Sequence, residues 1–456
     1  MNASLTRLHP HAHLSAPVPH RATLAPLVAG AVLACLASGV QAQSLIELYE
    51  AARGYDATFL SARSQLEANQ AKADQARAGL LPTVGLSSRA TWTNTDSSAA
   101  AASRNTNAQS VSVDASQPLF RPANKIAFEQ GQRSLDVAQA QYAAAEQDLV
   151  VRTAQGYFDV LAAEDNLTFV KAQKTATAEQ LAAAKRNFEV GTTTITDTRE
   201  AQARYDLVLA QEIAAENDLR VKKLALDQLV GRGGTQPVRL ASPINLPSVE
   251  PGDVNSWVAQ SETNHPTVKQ AAGALDIAEM ETRKAEAGHK PTLDAIAQYQ
   301  IARAPVTGAG IVRSNNATVG VQFNLPLFAG YAVQNRVRET LSLQDKARTD
   351  LEAAKRGVAQ ATRTAFFGVL SGLGQVKALE AAEASTQSAL DANKLGYQVG
   401  VRINIDVLNA QSQLFQTKAS LAKARYDVLV GGLKLRQASG VLKADDLQGI
   451  NALLAR

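Results

Sequence analysis

The 456-residue chain holds a single cysteine, Cys35, and only 5% of its residues are aromatic. Cys35 falls inside a leader segment, so a chain that has lost the leader has no disulfide to hold it together. Aromatics are scarce, Ala and Leu prevail and mean hydropathy is −0.14. That composition excludes a wide oily core and favours elongated helical packing. Beyond the leader no run approaches the roughly 18 consecutive apolar residues of a membrane-spanning helix. Such a chain crosses a bilayer only as a barrel of strands, because lipid tolerates no unpaired backbone. An excess of charge of one sign is also missing. Lys and Arg number 46 against 42 Asp and Glu, with the two signs interleaved, which excludes a nucleic-acid partner.

Catalytic signatures are equally scarce. Of six histidines, His9, His11, His13 and His20 lie in the leader; His265 and His289 have no acidic or cysteine partner at metal-ligand spacing. There is no nucleophile elbow, phosphate-binding glycine loop or clustered acid pair, and Gly231-Arg232-Gly233-Gly234 lacks the strand and helix that would give it meaning. The reading is of a chain that is not an enzyme and needs no cofactor or metal.

Residues 1–42 read as an export signal: basic Arg7 and Arg21, an apolar run from Leu24 to Val40, and Val40-Gln41-Ala42 as a small-residue cleavage site. Val32-Leu33-Ala34-Cys35 is a competing lipobox, whose cysteine would be acylated. Both readings imply export.

What is present is a duplication. An offset of 209 residues sets Val190-Gly191 on Val399-Gly400, Asp197 on Asp406, Ala201-Gln202 on Ala410-Gln411 and Gly231 on Gly440. The same offset aligns Pro82-Thr83 with Pro291-Thr292 and Tyr157-Phe158 with Phe366-Phe367, while the Pro-Leu-Phe triplets at 118–120 and 326–328 need 208. A repeat of this length points to a pseudo-symmetric object. The chain divides into the signal, a first repeat over 43–231, a connector over 232–252 rich in proline, a second repeat over 253–440 and a tail over 441–456.

Each copy opens with a helical stretch, Leu45 to Ala78 and Val254 to Ala287, closed by Pro82 or Pro291. The period then changes to two. Val84, Leu86, Ser88, Ala90 and Trp92 alternate with polar residues, as do Val111, Val113, Ala115, Gln117 and Leu119; the second copy has Leu293, Ala295, Ala297, Tyr299 and Ile301, then Val319, Val321, Phe323, Leu325 and Leu327. These predict two hairpins with strands of about ten residues, the length of a tilted transmembrane strand. Soluble half-buried hairpins give the same alternation. Four strands cannot close a membrane barrel alone, since small barrels begin at about eight. Behind each hairpin, from Asn124 to about Asn187 and from Val333 to about Leu395, lies a proline-free helical stretch, long enough to span roughly 90–100 Å.

After Val190-Gly191 and Val399-Gly400 each copy folds back into another helix. In the second, Ala410, Leu414, Thr417, Leu421, Ala424, Val428, Gly431, Leu435 and Ala438 form a heptad seam. The first-copy seam, from Ala201 to Leu229, is interrupted by Glu212 and Lys222, which read as solvated edge charges.

These residues together resemble the TolC family of outer-membrane channel proteins. The resemblance runs from Ser44-Leu45-Ile46-Glu47-Leu48-Tyr49 through Leu80-Leu81-Pro82, both hairpins and Val399–Leu408 to Asp445-Asp446-Leu447. It implies a mostly α fold with a β-barrel part: a duplicated coiled-coil tunnel of long helices, and four strands per chain that close a 12-stranded barrel as a homotrimer. It further implies an outer-membrane exit duct extending into the periplasm. The duct would meet a periplasmic adaptor and an inner-membrane ABC or RND-type transporter, and would export proteins or small toxic compounds. The segments 96–108 and 304–316 would lie outside the cell.

The resemblance also places a gate at the two helix reversals. Thr196 and Asp197 match residues bonded to the second reversal, where Tyr397 and Arg402 match their partners; Arg402 to Asp197 would be a charge-assisted contact. Asp406 matches an aspartate that forms a ring of three carboxylates, and the next ring position, commonly aspartate, is Asn409. The bare residues also allow a plainer reading, in which Asp197 and Asp406 are carboxylates favoured by helix N-termini. An exported coiled-coil structural protein with soluble hairpin caps is the alternative function.

Overall fold

The computed structural model of the chain describes residues 43–96, 104–241, 243–306 and 310–455. The leader, with its cleavage site at Ala42 and its alternative lipidation at Cys35, lies outside them. The element order is α1 (Leu45–Tyr55), α2 (Ala57–Ala76), β1 (Thr83–Thr95), β2 (Arg104–Phe120), α3 (Pro122–Glu189), α4 (Ile195–Val230), α5 (Val254–Asn264), α6 (Pro266–Glu286), β3 (Thr292–Val306), β4 (Gly310–Asn324), α7 (Ala332–Gln398), α8 (Asn404–Ala438) and α9 (Asp446–Asn451). The fold is mostly helical with one small antiparallel sheet.

Both opening helical stretches are broken where continuous helices were expected. Asp56 leaves helical dihedrals between α1 and α2, at φ −59° and ψ 115°, and its carboxylate accepts from the Phe59 N–H at 2.9 Å. His265, 209 residues on, does the same between α5 and α6, accepting from the Thr267 N–H at 3.1 Å. There Pro266 at the first helical position pushes its predecessor out of helical geometry. In the first copy a fork replaces the proline: Arg152 on α3 holds Asp56 through two N–H···O contacts of 3.1 and 2.9 Å.

The long helices α3 and α7 run 68 and 67 residues, or about 100 Å each at 1.5 Å per residue. Their lack of interior proline lets them continue unbroken. The principal core lies partway along them. Leu45, Leu48 and Tyr49 of α1 and Phe59 of α2 pack on the 149–161 stretch of α3, with Leu226 and Val230 of α4 and Tyr426, Leu429 and Leu433 of α8. Tyr157 and Phe158 meet edge to face at 5.4 Å, Phe158 stacks on Tyr426 at 5.5 Å, and the two tyrosine hydroxyls donate to the Val238 carbonyl and to Asp165, each at 2.7 Å. The segment read as a tail contributes Leu442, Leu447, Ile450 and Leu454 to this core. Backbone bridges from Gln43 to Pro237 and from Leu240 to Leu454 tie the connector to both ends of the described chain.

The seam of α8 is largely as expected: Leu414, Thr417, Leu421, Ala424, Val428 and Leu435 are buried. Glu212 on α4 is a correction. It is buried at 8% exposure, not solvated, because Lys174 on the facing α3 meets it at 2.5 Å. Lys222 is matched likewise by Asp159 on α3 at 3.2 Å. Opposite charges on two facing helices thus replace apolar contact at the two interruptions.

The strands are longer than about ten residues, at 13, 17, 15 and 15. Alternation was read only where one face is apolar, yet the ladder continues through the polar ends. Of the expected external segments 96–108 and 304–316, residues 104–108, 304–306 and 310–316 belong to the strands, while 97–103 and 307–309 lie outside the described residues. The order is β1-β2-β3-β4, every neighbour antiparallel, so β1 and β4 are the free edges within one chain. Rows run straight across the sheet. Val84, Ala115, Ala297 and Val319 share one row, and Leu86, Val113, Tyr299 and Ala317 the next on the same face. The opposite face is polar: Ser87 and Ser112 hydroxyls lie 2.9 Å apart, Ser112 donates to Asp114 at 2.8 Å, and Gln298 donates to Asp114 at 2.6 Å.

Candidate functional site: two helix reversals and a one-sided sheet

Both reversals use one turn. At the end of α3 the Thr192 N–H reaches the Asn187 carbonyl at 2.8 Å, and Gly191 adopts φ 76°. At the end of α7 the Val401 N–H reaches the Gly396 carbonyl at 2.9 Å, and Gly400 adopts φ 80°. This left-handed closure is the Schellman arrangement, for which glycine carries no side-chain penalty.

The helices that follow start differently. Thr194 caps α4 through a full capping box: its hydroxyl accepts from the Asp197 N–H at 3.3 Å, and the Asp197 carboxylate accepts from the Thr194 N–H at 3.2 Å. Ile403 stands at the same place before α8 and offers no capping oxygen. Asp406 is therefore left out of a box, and its carboxylate meets Arg402 at 3.6 Å, one helical turn away. The expected contact between Arg402 and Asp197 is not formed within the chain. The plainer reading of Asp197 as a helix N-terminal carboxylate describes its bonds here. Arg402 lies with its stem over Gly396, where an added Cβ would come within 2.7 Å of the arginine Cγ.

Three side-chain bonds join the first reversal region to the second. Asn187 on α3 donates to the Tyr397 hydroxyl at 3.2 Å, Gln180 on α3 donates to Asn404 at the start of α8, and Arg204 on α4 donates to Asn409 on α8 at 2.7 Å. Tyr397 and Asn409 are thus engaged across the two copies. Thr196 is exposed and has no side-chain hydrogen bond among the described residues. Asn187, Gln180, Asn404 and Arg204 were missed by a search for matched positions. Each sits where the copies differ: under the 209-residue offset Asn187 faces Gly396, Gln180 faces Ala389, Asn404 faces Ile195 and Arg204 faces Gln413. Differences between the copies were the available signal. Apolar side chains rim the turns, Val190, Leu395, Val399, Val401 and Ile403 all being exposed.

No group of His, Cys, Asp and Glu among the described residues could hold a metal ion. No described helix is long and apolar enough to cross a membrane. The sheet, by contrast, offers an apolar face and a polar face in continuous rows, with aromatic residues Phe120, Phe323, Phe328 and Tyr331 exposed at its helical end.

The model of the family described as "Outer membrane efflux protein" matches residues 48–232 and 257–441. The chain is 32% identical over 420 residues to the outer membrane protein TolC of Vibrio cholerae, covering 91% of this chain and 95% of that protein. It is 27% identical to the proteases secretion protein PrtF of Dickeya chrysanthemi, covering 90% of this chain and 91% of that one. The crystal structure of the outer membrane protein VceC of Vibrio cholerae superposes with a TM-score of 0.75 at 19% identity, covering 87% of this chain and 96% of that chain; at this identity the likeness concerns the fold alone. Because the family match falls on each half separately, leaving out the connector between them, the chain belongs to the outer membrane efflux protein family.

Proposed function

We propose that three copies of this chain join their sheets edge to edge into one 12-stranded barrel, with β1 of one copy beside β4 of the next, and their long helices into a gated periplasmic tunnel. The chain is an outer-membrane exit duct for efflux and secretion, not an enzyme. One observation supports the trimeric reading above others: a four-stranded sheet with two free edges and one face whose rows nearest the helices are largely apolar. Too few strands are present to close alone, and closure of three such sheets satisfies every edge. Soluble hairpin caps would leave that face in water, which disfavours the coiled-coil structural alternative.

In this reading the apolar rim of the reversals receives a periplasmic adaptor. An inner-membrane transporter of ABC or RND type delivers proteins or small toxic compounds to the tunnel. Thr196, Asp197, Tyr397, Arg402, Asp406 and Asn409 surround the gate, with Asp406 of each copy supplying the ring of three carboxylates. Outer-membrane fractions should yield detergent-resistant trimers that open discrete channels in planar bilayers. Monomers that remain soluble without detergent, or trimers that never conduct, would refute the duct.

A further inference from the structure

The apolar face of the sheet carries one charged row. Arg303 on β3 pairs directly with Arg313 on β4, and Gln109 on β2 pairs with Arg303 from the other side. All three lie in register with the apolar rows, because the pairing alternates faces and 303 is two residues beyond Ile301, which is two beyond Tyr299. Both arginines are exposed, and neither has an ion pair or a side-chain hydrogen bond among the described residues.

Two guanidinium groups directly opposite on adjacent strands repel, and the four described strands place no acid on that face. The acids of the four strands are Asp114 and Asp294. Both are on the polar face, the first bonded to Ser112 and Gln298, the second to Arg121. The strand that would close the barrel beside β4 is β1 of a neighbouring copy, and β1 holds no acid at all. With no strand acid to pair them, the two arginines are open to an anion from outside the protein.

Height along the strand says from where. Leu293 opens the apolar rows of β3, and Arg303 follows ten residues later. Ten residues at about 3.3 Å, tilted by about 40°, rise roughly 25 Å, the height of the apolar band of a membrane barrel. The paired strand ends Val306 and Gly310 lie beyond the pair, at the end of the sheet away from the helices. Arg303 and Arg313 thus stand at the outer edge of the band, at headgroup level. Paired arginines offer two planar forks, which suit a phosphate far better than a carboxylate-free, neutral headgroup.

We propose that Arg303 and Arg313, assisted by Gln109, form a site on the lipid-facing wall for the phosphate of an outer-leaflet lipid headgroup, one site per chain. The inference rests on the barrel reading given above. The same arginines spaced along one strand would merely reach for water; set opposite each other, they converge on one anion.

The test uses purified full-length trimers in detergent, with lipid binding followed by native mass spectrometry. The probes are bisphosphorylated lipid A, the same lipid stripped of phosphate, and inorganic phosphate. Wild type should prefer the phosphorylated lipid by about tenfold or more, as charge-assisted forks provide. The double variant Arg303→Gln/Arg313→Gln should lose that preference, Arg303→Lys/Arg313→Lys should keep part of it, and Arg89→Gln, on the polar face, should keep all of it. Preference retained in the double glutamine variant overturns the site. If that variant does not assemble, an unchanged preference in the double lysine variant does so instead. Inorganic phosphate displacing the lipid at equal concentration overturns the lipid as the source. Planar-bilayer conductance of the same preparations separates the two claims: conducting wild-type trimers without lipid preference refute this site alone, and wild-type protein that neither trimerises nor conducts refutes the duct beneath it.

Discussion

The side-chain amide of Asn187, at the end of the first long helix, donates to the hydroxyl of Tyr397, near the end of the second, at 3.2 Å. The two helices belong to different copies of the repeat, so this neutral bond links the two reversals where an ion pair was expected. Neutral hydrogen bonds contribute about 0.5–1.5 kcal/mol, a shift of roughly two- to tenfold in an open–closed equilibrium. Tyr397→Phe and Asn187→Ala should each raise the frequency of channel opening in planar bilayers by that factor, and the two together should do no more than either alone. Strictly additive effects would mean the residues act separately.

Arg402 faces Asp406 at 3.6 Å, with the arginine side chain 58% exposed, so the pair itself adds only about 0.2–1 kcal/mol. Its larger effect concerns the field. If threefold symmetry brings three Asp406 carboxylates together, each arginine partly neutralises one of them. Asp406→Ala should weaken block by trivalent cations applied from the tunnel side, whereas Arg402→Ser should strengthen it several-fold. Asn409→Asp, which adds a second carboxylate and a salt-bridge partner for Arg204, should strengthen it less. Block indifferent to all three substitutions would place the cation ring elsewhere.

Thr194 caps the second helix of the first copy and Ile403 fails to cap its counterpart. Thr194→Ala should cost about 1 kcal/mol of local stability, read as faster amide exchange over the first turn of α4. Ile403→Thr should do the reverse for α8, drawing Asp406 into a box and away from Arg402. Loss of exchange protection in both variants would show that the cap does not govern these turns.

Arg152, hydrogen-bonded to Asp56, holds that carboxyl below its ordinary value of 3.8, with the Phe59 N–H helping and burial opposing. A depressed carboxylate stabilises the fold while ionised. The contribution is complete above the unfolded-state value near 3.8 and is lost as pH falls through the lower folded value. Asp56→Asn should lower the thermal midpoint at pH 7 by the equivalent of about 1.5–3 kcal/mol and narrow its gap from wild type below pH 3. An equal gap at pH 7 and below pH 3 would exclude the pair as an acid-sensitive clasp.

Gly396 leaves room for the Arg402 stem, since a Cβ there would meet the arginine Cγ at 2.7 Å. Gly396→Ala should displace a flexible side chain rather than the turn, leaving trimers intact. Its cation block should resemble that of Arg402→Ser. A block like wild type's would show that Arg402 keeps its place without the gap.

The long helices and the sheet are legible in the sequence because each is a periodic signal sustained over many residues: α3 and α7 from unbroken helical composition, β1 to β4 from alternation. Element ends are less so. The ladder at Arg104 to Ala108 continues through polar residues that give no alternation, and Asp56 breaks a helix without proline, through a partner, Arg152, 96 residues away. The proposed gate is partly legible. Duplication points to Asp197 and Asp406 as equals, yet one threonine against one isoleucine makes the first a cap and the second an ion-pair partner. Burial of Glu212 depends on Lys174 lying opposite, a relation that only the packing of α3 on α4 creates.

The principal core also sets the mechanics of the long helices. It grips α3 at residues 149–161, whereas the reversal begins after Glu189, leaving an arm of 28 residues, about 42 Å, beyond the grip. Along that arm the buried apolar clusters are small, such as Leu181, Ala184, Ala201 and Leu408. The core is thus a fulcrum. A tilt of about 5° there would sweep the end of the helix by roughly 4 Å, more than the length of the bond between Asn187 and Tyr397.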